Sequence, residues 1–461
     1  MEHACSMPAK DASMQPELIL TEATILTTAA PPIGRGWLAM GGGLILGLGP
    51  METLPPSDAP VLPLPGRVLT PGMVNIHTHA ALNLMRGIAI DMGFAPAYTP
   101  GVPHGHEVGA EEAEILARLG ALEALLAGTT VMVDSFVHGN VTAPAMCGLG
   151  LRVWACGRLH DVDFSRVHLA DWEYSDAIGA RRMTELSDLV RDFNGSHGGR
   201  GNVIVIPHAP DTCSSGLLRR AGEFARANGL KVSTHLSQSK LENTQIQSRD
   251  GCSPTELLER CGLLNQDLIA AHCIHMSSED TARFGAAGAT VAHVPKGNAT
   301  GGAVANTPAL RSAGANIAIG TDNLTQDMAE QMRWALANAR THLGRVADDW
   351  QPEDALAMAT SNGAEALGMG HRLGRLASGF EADIVAWDFR RPHLAPLLDP
   401  LGTLVHDANG RDVEHVWVQG RQVVSGGRAL LVDEARVIAE AQAVAEGLWA
   451  RAAAGARTTA L

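Results

Sequence analysis

Several things are missing from this 461-residue chain, and each absence excludes something. No stretch of about 18 uninterrupted apolar residues occurs, so no membrane-spanning helix is expected. No CxxC pair occurs, and the seven cysteines (5, 147, 156, 213, 252, 261 and 273) are scattered and odd in number. That argues against a disulfide framework or a thiolate zinc site and for a reducing cytosol. Positive charge is scarce: 35 Lys and Arg against 49 Asp and Glu give a net charge of −14. Phosphate neutralisation needs Lys and Arg, so nucleic acid is not an expected partner. The opening residues MEHACSMPAKDASMQPE lack the apolar run of a signal peptide, so a cytoplasmic setting is expected. No repeat of fixed period is visible. What the chain does have is 46% hydrophobic residues, enough to bury a large core and to exclude a mostly disordered chain.

The order of elements predicts the architecture. Residues 18–28 and 36–49 are β-rich, with Gly41, Gly42 and Gly43 as turn material, and a Pro-rich linker follows (Pro55 to Pro65). A matching β-rich segment returns at 382–388 and 413–424, the second a hairpin turning at Gln419-Gly420. Two β segments at opposite ends of the chain predict one small composite β-sandwich domain, from residues 1–67 and 369–461, with a helix over 432–453. Between them, residues 68–368 alternate short apolar runs with longer helical patterns such as 111–128. The runs are 72–76, 130–133, 151–155, 203–206, 232–234, 268–271, 290–292 and 317–320. Continuous apolar runs suit strands buried on both faces of a parallel sheet, and eight of them predict an α/β fold of the (β/α)8 TIM-barrel type.

In such a barrel the chemistry collects just past the strand ends. Those positions hold His77 and His79, Asp134, His208, His235, His272, His293 and Asp322; the third strand ends near Gly157 with nothing obvious. His77 and His79 are two apart on a strand and share a side. With His235 and Asp322 they make a His3Asp set suited to one divalent metal ion, zinc first and ferrous iron second, which turns water into a nucleophile. No Lys stands at the end of strand four to bridge a second metal.

The segments PGMVNIHTHAALNLMRG (71–87), PHAPDTCS (207–214), THLSQSKLENTQIQSRDGCSPTELL (234–258), AHCIHM (271–276), IGTDN (319–323) and GRLASGFEAD (374–383) resemble the amidohydrolase superfamily. The similarity is to the branch of adenosylhomocysteine and guanine deaminases and triazine hydrolases. It implies His77, His79, His235 and Asp322 as metal ligands, His272 beside the reactive water and His208 against the substrate. It implies hydrolysis of a C–N bond on a small nitrogen heterocycle, with ammonia or an amine released. Asp322 and His272 would be the catalytic pair. Relatives are often dimers or larger, so a homo-oligomer is expected by analogy.

Two positions depart from the family pattern. Deaminases of this branch carry HxxE after strand five, whereas this chain reads His235-Leu236-Ser237-Gln238. An amide does not titrate, so Gln238 can bind substrate but not act as the acid. Either another group (Asp322, His208 or Glu242) carries the proton, or the reaction needs no ring protonation, or activity is weak. Hydrolysis of a cyclic amide, or loss of another leaving group such as chloride, is therefore the alternative reaction. Strand seven reads His293-Val294-Pro295-Lys296-Gly297-Asn298 where the family has an HNPxSN-like run; Lys296 either binds an acidic substrate group or is a solvated loop lysine. His293 either supports the fold or contacts substrate, and is taken as a candidate substrate contact. Asp134 caps a loop or touches substrate, Arg86 packs or pairs, and Cys213 and Cys273 are structural. The loop holding His104 and His106 is a candidate lid. A non-catalytic scaffold is the rival from another class, and retention of all four ligands argues against it.

Overall fold

The computed structural model describes residues 14–28, 30–88, 101–167, 171–323 and 325–459. The polar N-terminus with Cys5, the first two residues of the 99–107 loop and the His106 side chain lie outside that description.

The two chain ends build one mixed sheet. From the N-terminal part come β1 (Leu18–Ile25), β2 (Ile33–Gly41), β3 (Leu44–Pro50), β4 (Val61–Pro63) and β5 (Arg67–Pro71). Gly42 and Gly43, at φ +57° and +79°, make the tight turn between β2 and β3 that splits the expected 36–49 segment.

The central region supplies two four-stranded parallel sheets. One contains β6 (Met73–Thr78), β7 (Thr129–Asp134), β8 (Arg152–Ala155) and β9 (Gly201–Val203). The other contains β10 (Val232–Leu236), β11 (Leu268–His272), β12 (Thr290–His293) and β13 (Asn316–Ile319). Parallel bridges join them on both sides, Val205 to Val232 and Thr78 to Asp322. All eight expected runs are strands, shifted by a residue or two except at the fourth. There β9 ends at Val203, and the chain continues in single parallel bridges, Val205 to Val232 on one side and Pro207 to Leu159 on the other.

The C-terminal part adds β14 (Ile384–Asp388), β15 (Val413–Val418), β16 (Arg421–Ser425) and β17 (Arg428–Ala429). Antiparallel pairing of β14 with β5 unites both ends in a nine-stranded sheet, ordered β17-β16-β15-β14-β5-β1-β2-β3 with β4 beside β1. By hydrogen bonding, then, the expected sandwich is a single sheet. Leu44 bridges Glu381, bringing the far edge of this sheet back to the entry of β14.

Alternation along the strands sorts the core. Val131, Val133, Ile269, Ala271, Ala292 and Ala318 pack with Val74, Ile76, Trp154, Ile204 and Ile206 in one cluster. Met132, Leu268, Ala270, Val291, Val232 and Leu236 pack instead with the helices, among them Ala110–Leu126 and Met328–Leu343. Both faces are apolar, as parallel strands covered by helices require. The histidines gather at the C-terminal strand ends, and that is where the site lies. The terminal helix Glu434–Thr459 begins two residues later than expected and packs on Ala110–Leu126; Trp449 Nε1 donates to Leu84 O (2.9 Å) in the segment after His79. Among the described residues no helix is long and apolar enough to cross a membrane.

Candidate metal centre

His235 owes its direction to alternation: Val232 and Leu236 of β10 face the helices, so residue 235 faces the opposite side. His272 needs a different device. Leu268 and Ala270 of β11 face the helices, and regular alternation would send residue 272 after them. The backbone turns left-handed at His272 (φ +73°) and Cys273 (φ +52°), which re-aims the ring. Asp322 is also left-handed (φ +59°), as is Ser237 (φ +46°). Left-handed backbone at non-glycine residues costs free energy, and here it gathers at one mouth. Gly320 allows the last strand to approach the first: a Cβ there would lie 2.7 Å from His77 Cβ.

The side chains converge. The His77 ring centroid is 5.0 Å from that of His79, 4.9 Å from that of His235 and 5.6 Å from that of His272. Among the described residues two groups bring metal-binding atoms within 4.8 Å of one another: His77–His79–His235 and His77–His272–Asp322. All four ligands expected from the sequence, and His272, therefore meet in one place. His79 Nε2 is 3.5 Å from Asp322 Oδ1, and His272 Nε2 is 3.9 Å from Asp322 Oδ2.

Hydrogen bonds fix which nitrogen faces inward. His79 Nδ1 meets the Ser135 carbonyl (2.5 Å) and His235 Nδ1 meets the His208 carbonyl (2.6 Å). A carbonyl only accepts, so each Nδ1 carries the proton and each Nε2 is a bare lone pair. Those two lone pairs lie 3.3 Å apart. Both nitrogens of His77 and Nε2 of His272 are buried without a hydrogen-bond partner. Burial pushes the imidazole pKa values down, to about 4 at His272, with Arg158 adding to it at His79 (about 3) and repulsion among the rings adding to it at His77 and His235, which lie well below normal. Burial pushes Asp322 up to about 7. Neutral imidazoles and a carboxylate that lacks a counter-charge, aimed at one point, fit a divalent cation and little else. The backbone acceptors are the outer partners that orient metal-binding histidines.

Around this centre, His272 Nδ1 pairs with Asn298 Oδ1 (3.0 Å). The Thr212 hydroxyl donates to Ala209 O (3.2 Å), so His208 donates from Nδ1 to Thr212 Oγ1 (2.8 Å) and keeps a lone pair at Nε2. His208 is half-buried, with its ring 4.8 Å from that of His235. Gln238 is half-buried in the turn after β10, its main-chain N–H donating to Glu242 Oε2 (2.8 Å). His293 stands apart: it belongs to neither metal-capable group, and alternation with Val291 turns it toward the helices, where burial and His342 push its pKa down to about 3. The substrate contact expected of it has no support in this placement.

The remaining expectations sort themselves. Lys296 is neither a solvated lysine nor a free cation, because Nζ lies 2.8 Å from both Glu330 carboxylate oxygens. Arg86 pairs with Glu123. Asp134 is buried and accepts from Ala80 N (2.9 Å), which is the capping role. Cys213 and Cys273 are buried, and burial raises their thiol pKa values far out of the reactive range.

One residue escaped the sequence reading. Arg158, three residues after β8, is buried with Cζ 5.3 Å from the Phe164 ring centroid, and its charge helps lower the pKa values of His79, His208 and His235. A basic residue directly after Gly157 at a strand end was the available signal.

Comparison with known proteins agrees with this geometry. Residues 68–423 match the amidohydrolase family. The chain is 32% identical to a 5-methylthioadenosine/S-adenosylhomocysteine deaminase of Moorella thermoacetica over 437 residues, 92% of this chain and 98% of the relative. It is also 32% identical to a 5′-deoxyadenosine deaminase of Methanosarcina mazei over 446 residues, 94% of this chain and 99% of the relative. A zinc-bound adenosine deaminase from Xanthomonas campestris superimposes with a TM-score of 0.82 at 25% identity, covering 94% of this chain and 99% of the other. A triazine hydrolase variant shares the fold, with a TM-score of 0.84 at 21% identity and coverage of 94% and 100%. The match over most of the length, on a chain whose histidines and aspartate converge as described, makes this protein a member of the amidohydrolase family.

Proposed function

We propose that the protein is a metal-dependent hydrolase that deaminates an aminopurine nucleoside, with ammonia as the leaving product. The observation that carries the metal-dependent part is the pair of Nε2 lone pairs of His79 and His235 held 3.3 Å apart with both Nδ1 protons committed to carbonyls. The aminopurine part rests on the deaminases that align over more than nine-tenths of the chain. In this reading His77, His79, His235 and Asp322 hold one divalent ion, zinc first, and the ion supplies a lowered pKa for water.

The protein's own residues do the rest. Water adds to the ring carbon that bears the amino group, a C–O bond forms, the C–N bond breaks, and the nitrogen leaves as ammonia once protonated. Asp322 takes the proton that water gives up and returns it to the departing nitrogen, and as the C–N bond breaks the adduct's hydroxyl proton passes to the neighbouring ring nitrogen, leaving a ring carbonyl and ammonia. His272, with Nδ1 tied to Asn298, presents Nε2 toward Asp322 and stabilises charge that develops on the attacked carbon's oxygen once it carries a proton. His208 accepts a hydrogen from a substrate donor at Nε2, and Gln238 hydrogen-bonds the ring. The buried Arg158 favours substrates with a negative or electron-rich end near His208.

A second reading keeps the same site but a different leaving group, a cyclic amide nitrogen or a halide. Gln238 favours it, and so does Glu242, whose two oxygens are both taken up by main-chain N–H groups rather than free to carry a proton. The test is ammonia release by the zinc-loaded protein from 5′-methylthioadenosine, S-adenosylhomocysteine, 5′-deoxyadenosine and adenosine, with a cyclic amide and a chlorotriazine alongside. Ammonia from an aminopurine supports the first reading. Turnover of only the last two compounds supports the second.

The same proposal covers the larger frame. The two four-stranded sheets, bridged at Val205–Val232 and Thr78–Asp322, form one closed (β/α)8 ring, and the nine-stranded sheet folds over on itself as a sandwich. The domain division falls at 67/68 and 368/369, and the enzyme works in the cytosol as a homo-oligomer.

A further inference from the structure

Glu242 is buried in the first turn of helix Lys240–Asp250, three residues past its N-cap Ser239. In an ordinary capping box a glutamate at this position reaches back to the N–H of the capping residue itself. Glu242 reaches further. Oε1 accepts from Ser237 N (2.8 Å) and Oε2 from Gln238 N (2.8 Å), two consecutive main-chain groups that precede the cap. The capping bond is made separately, by Ser239 Oγ accepting from Glu242 N (3.0 Å).

These two donors belong to the short turn that leaves β10 after His235, in which Ser237 has left-handed backbone. The turn is tied on its other side to the β11 exit. Cys273 N donates to Leu236 O (3.0 Å), His275 N to Ser237 O (2.8 Å), and Asn243 Nδ2 to His275 O (2.7 Å). A buried carboxylate is a costly clamp. Burial and the neighbouring Asp211 push its pKa up, against the N–H groups of Ser237, Gln238 and Ser239 and the positive end of its own helix, which favour the charged form. A cost of that kind marks a place where one backbone geometry is being enforced.

We propose that Glu242 is the positioning residue for Gln238: by holding the N–H groups of Ser237 and Gln238 together, its carboxylate fixes the direction in which the Gln238 side chain meets the substrate. This rests on the reading above that Gln238 contacts the ring. A carboxylate suits the task because both of its oxygens accept. An amide offers one acceptor and sets its NH2 against the second N–H, and an aspartate is one methylene too short.

The test compares the zinc-loaded wild type with Glu242→Gln, Gln238→Ala and the double variant. Hydrogen exchange at the Ser237 and Gln238 amides reads the clamp without any turnover. Steady-state kinetics with 5′-methylthioadenosine read its consequence. The expected result is at least about tenfold faster exchange at those two amides in Glu242→Gln, one metal per chain retained, and KM raised more than kcat is lowered. In the Gln238→Ala background, adding Glu242→Gln should raise KM no further. Unchanged exchange at both amides would overturn the proposal whatever the turnover. So would a KM penalty of equal size in both backgrounds, because Glu242 would then act on something other than Gln238. Absence of ammonia release by the wild type would count against the proposed reaction alone, and the exchange comparison would still decide the clamp. Should Glu242→Gln fail to fold, Glu242→Asp takes its place, with the same two amides predicted to lose protection.

Discussion

Two ends of the same parallel strands bury polar side chains, and they treat them in opposite ways. Where β8 begins, Arg152 is buried against Glu381 and Asp383 from the entry to β14. Its Nε and Nη2 meet the two Asp383 oxygens at 3.0 and 3.1 Å, Glu381 is shared with Arg372, and Gln419 N donates to Asp383 Oδ1 (2.8 Å). Every charge there is answered by a charge of opposite sign within the chain, and the cluster joins the nine-stranded sheet to the strands. At the other end His77, His79, His235 and His272 are just as buried and Asp322 is half-buried, yet the inward nitrogens of His79, His235 and His272 and the Asp322 carboxylate are acceptors with no cation in the chain to answer them. Burial alone therefore does not mark the functional end. The mark is buried groups whose mutual repulsion only something from outside the chain can relieve.

Breaking the unanswered end has the largest expected effect. His77→Ala removes the residue common to both metal-capable groups. Metal content measured by mass spectrometry should fall well below one per chain, and turnover by roughly a thousandfold or more, because water loses its activation. Metal retained at one per chain would break the comparison at its root. Arg152→Ala attacks the answered end and leaves two buried carboxylates short of a partner. About 3–5 kcal/mol of stability should be lost in denaturant titration, with the metal content of the folded protein unchanged. A neutral effect on stability would mean the cluster is not a joint.

Smaller changes sharpen the contrast. His272→Asn keeps His77, His79, His235 and Asp322, so metal should stay at one per chain while kcat falls about 10²–10³-fold. Asn298→Ala frees only the outer nitrogen of His272, and a loss of about 10-fold in kcat is expected, checked against unchanged metal content. Lys296→Met at the rim removes a partly exposed pair with Glu330 and should shift stability by less than about 1 kcal/mol and leave KM alone. A large KM increase would return Lys296 to the substrate.

The parts of the molecule with a short-range signal were legible in the sequence. β12 was expected at 290–292 and spans Thr290–His293, and the hairpin at Gln419-Gly420 is where the turn residues put it. The metal-ligand positions were legible because parallel strands end side by side, and the residue type at each strand end is visible in one dimension. What failed was anything set by a contact between segments. β9 was expected over 203–206, but regular pairing ends at Val203 and the chain continues in single bridges, Val205 to Val232 and Pro207 to Leu159. His293 shares its motif with Asn298, yet alternation in β12 turns it away while Asn298 swings round to His272. Arg158 had no periodic pattern to announce it. Glu242 was considered as a proton carrier, and only the three-dimensional fold shows both its oxygens committed to the β10 turn.

In the proposed centre one cation is held jointly by four side chains: His77 on β6, His79 just past its end, His235 on β10 and Asp322 just past β13. Anomalous diffraction from crystals grown with zinc tests this directly. The predicted result is a single strong peak within coordinating distance of His77, His79, His235 and Asp322, lost in His77→Ala crystals. A peak bound elsewhere, or undiminished turnover in protein stripped of metal, would contradict it.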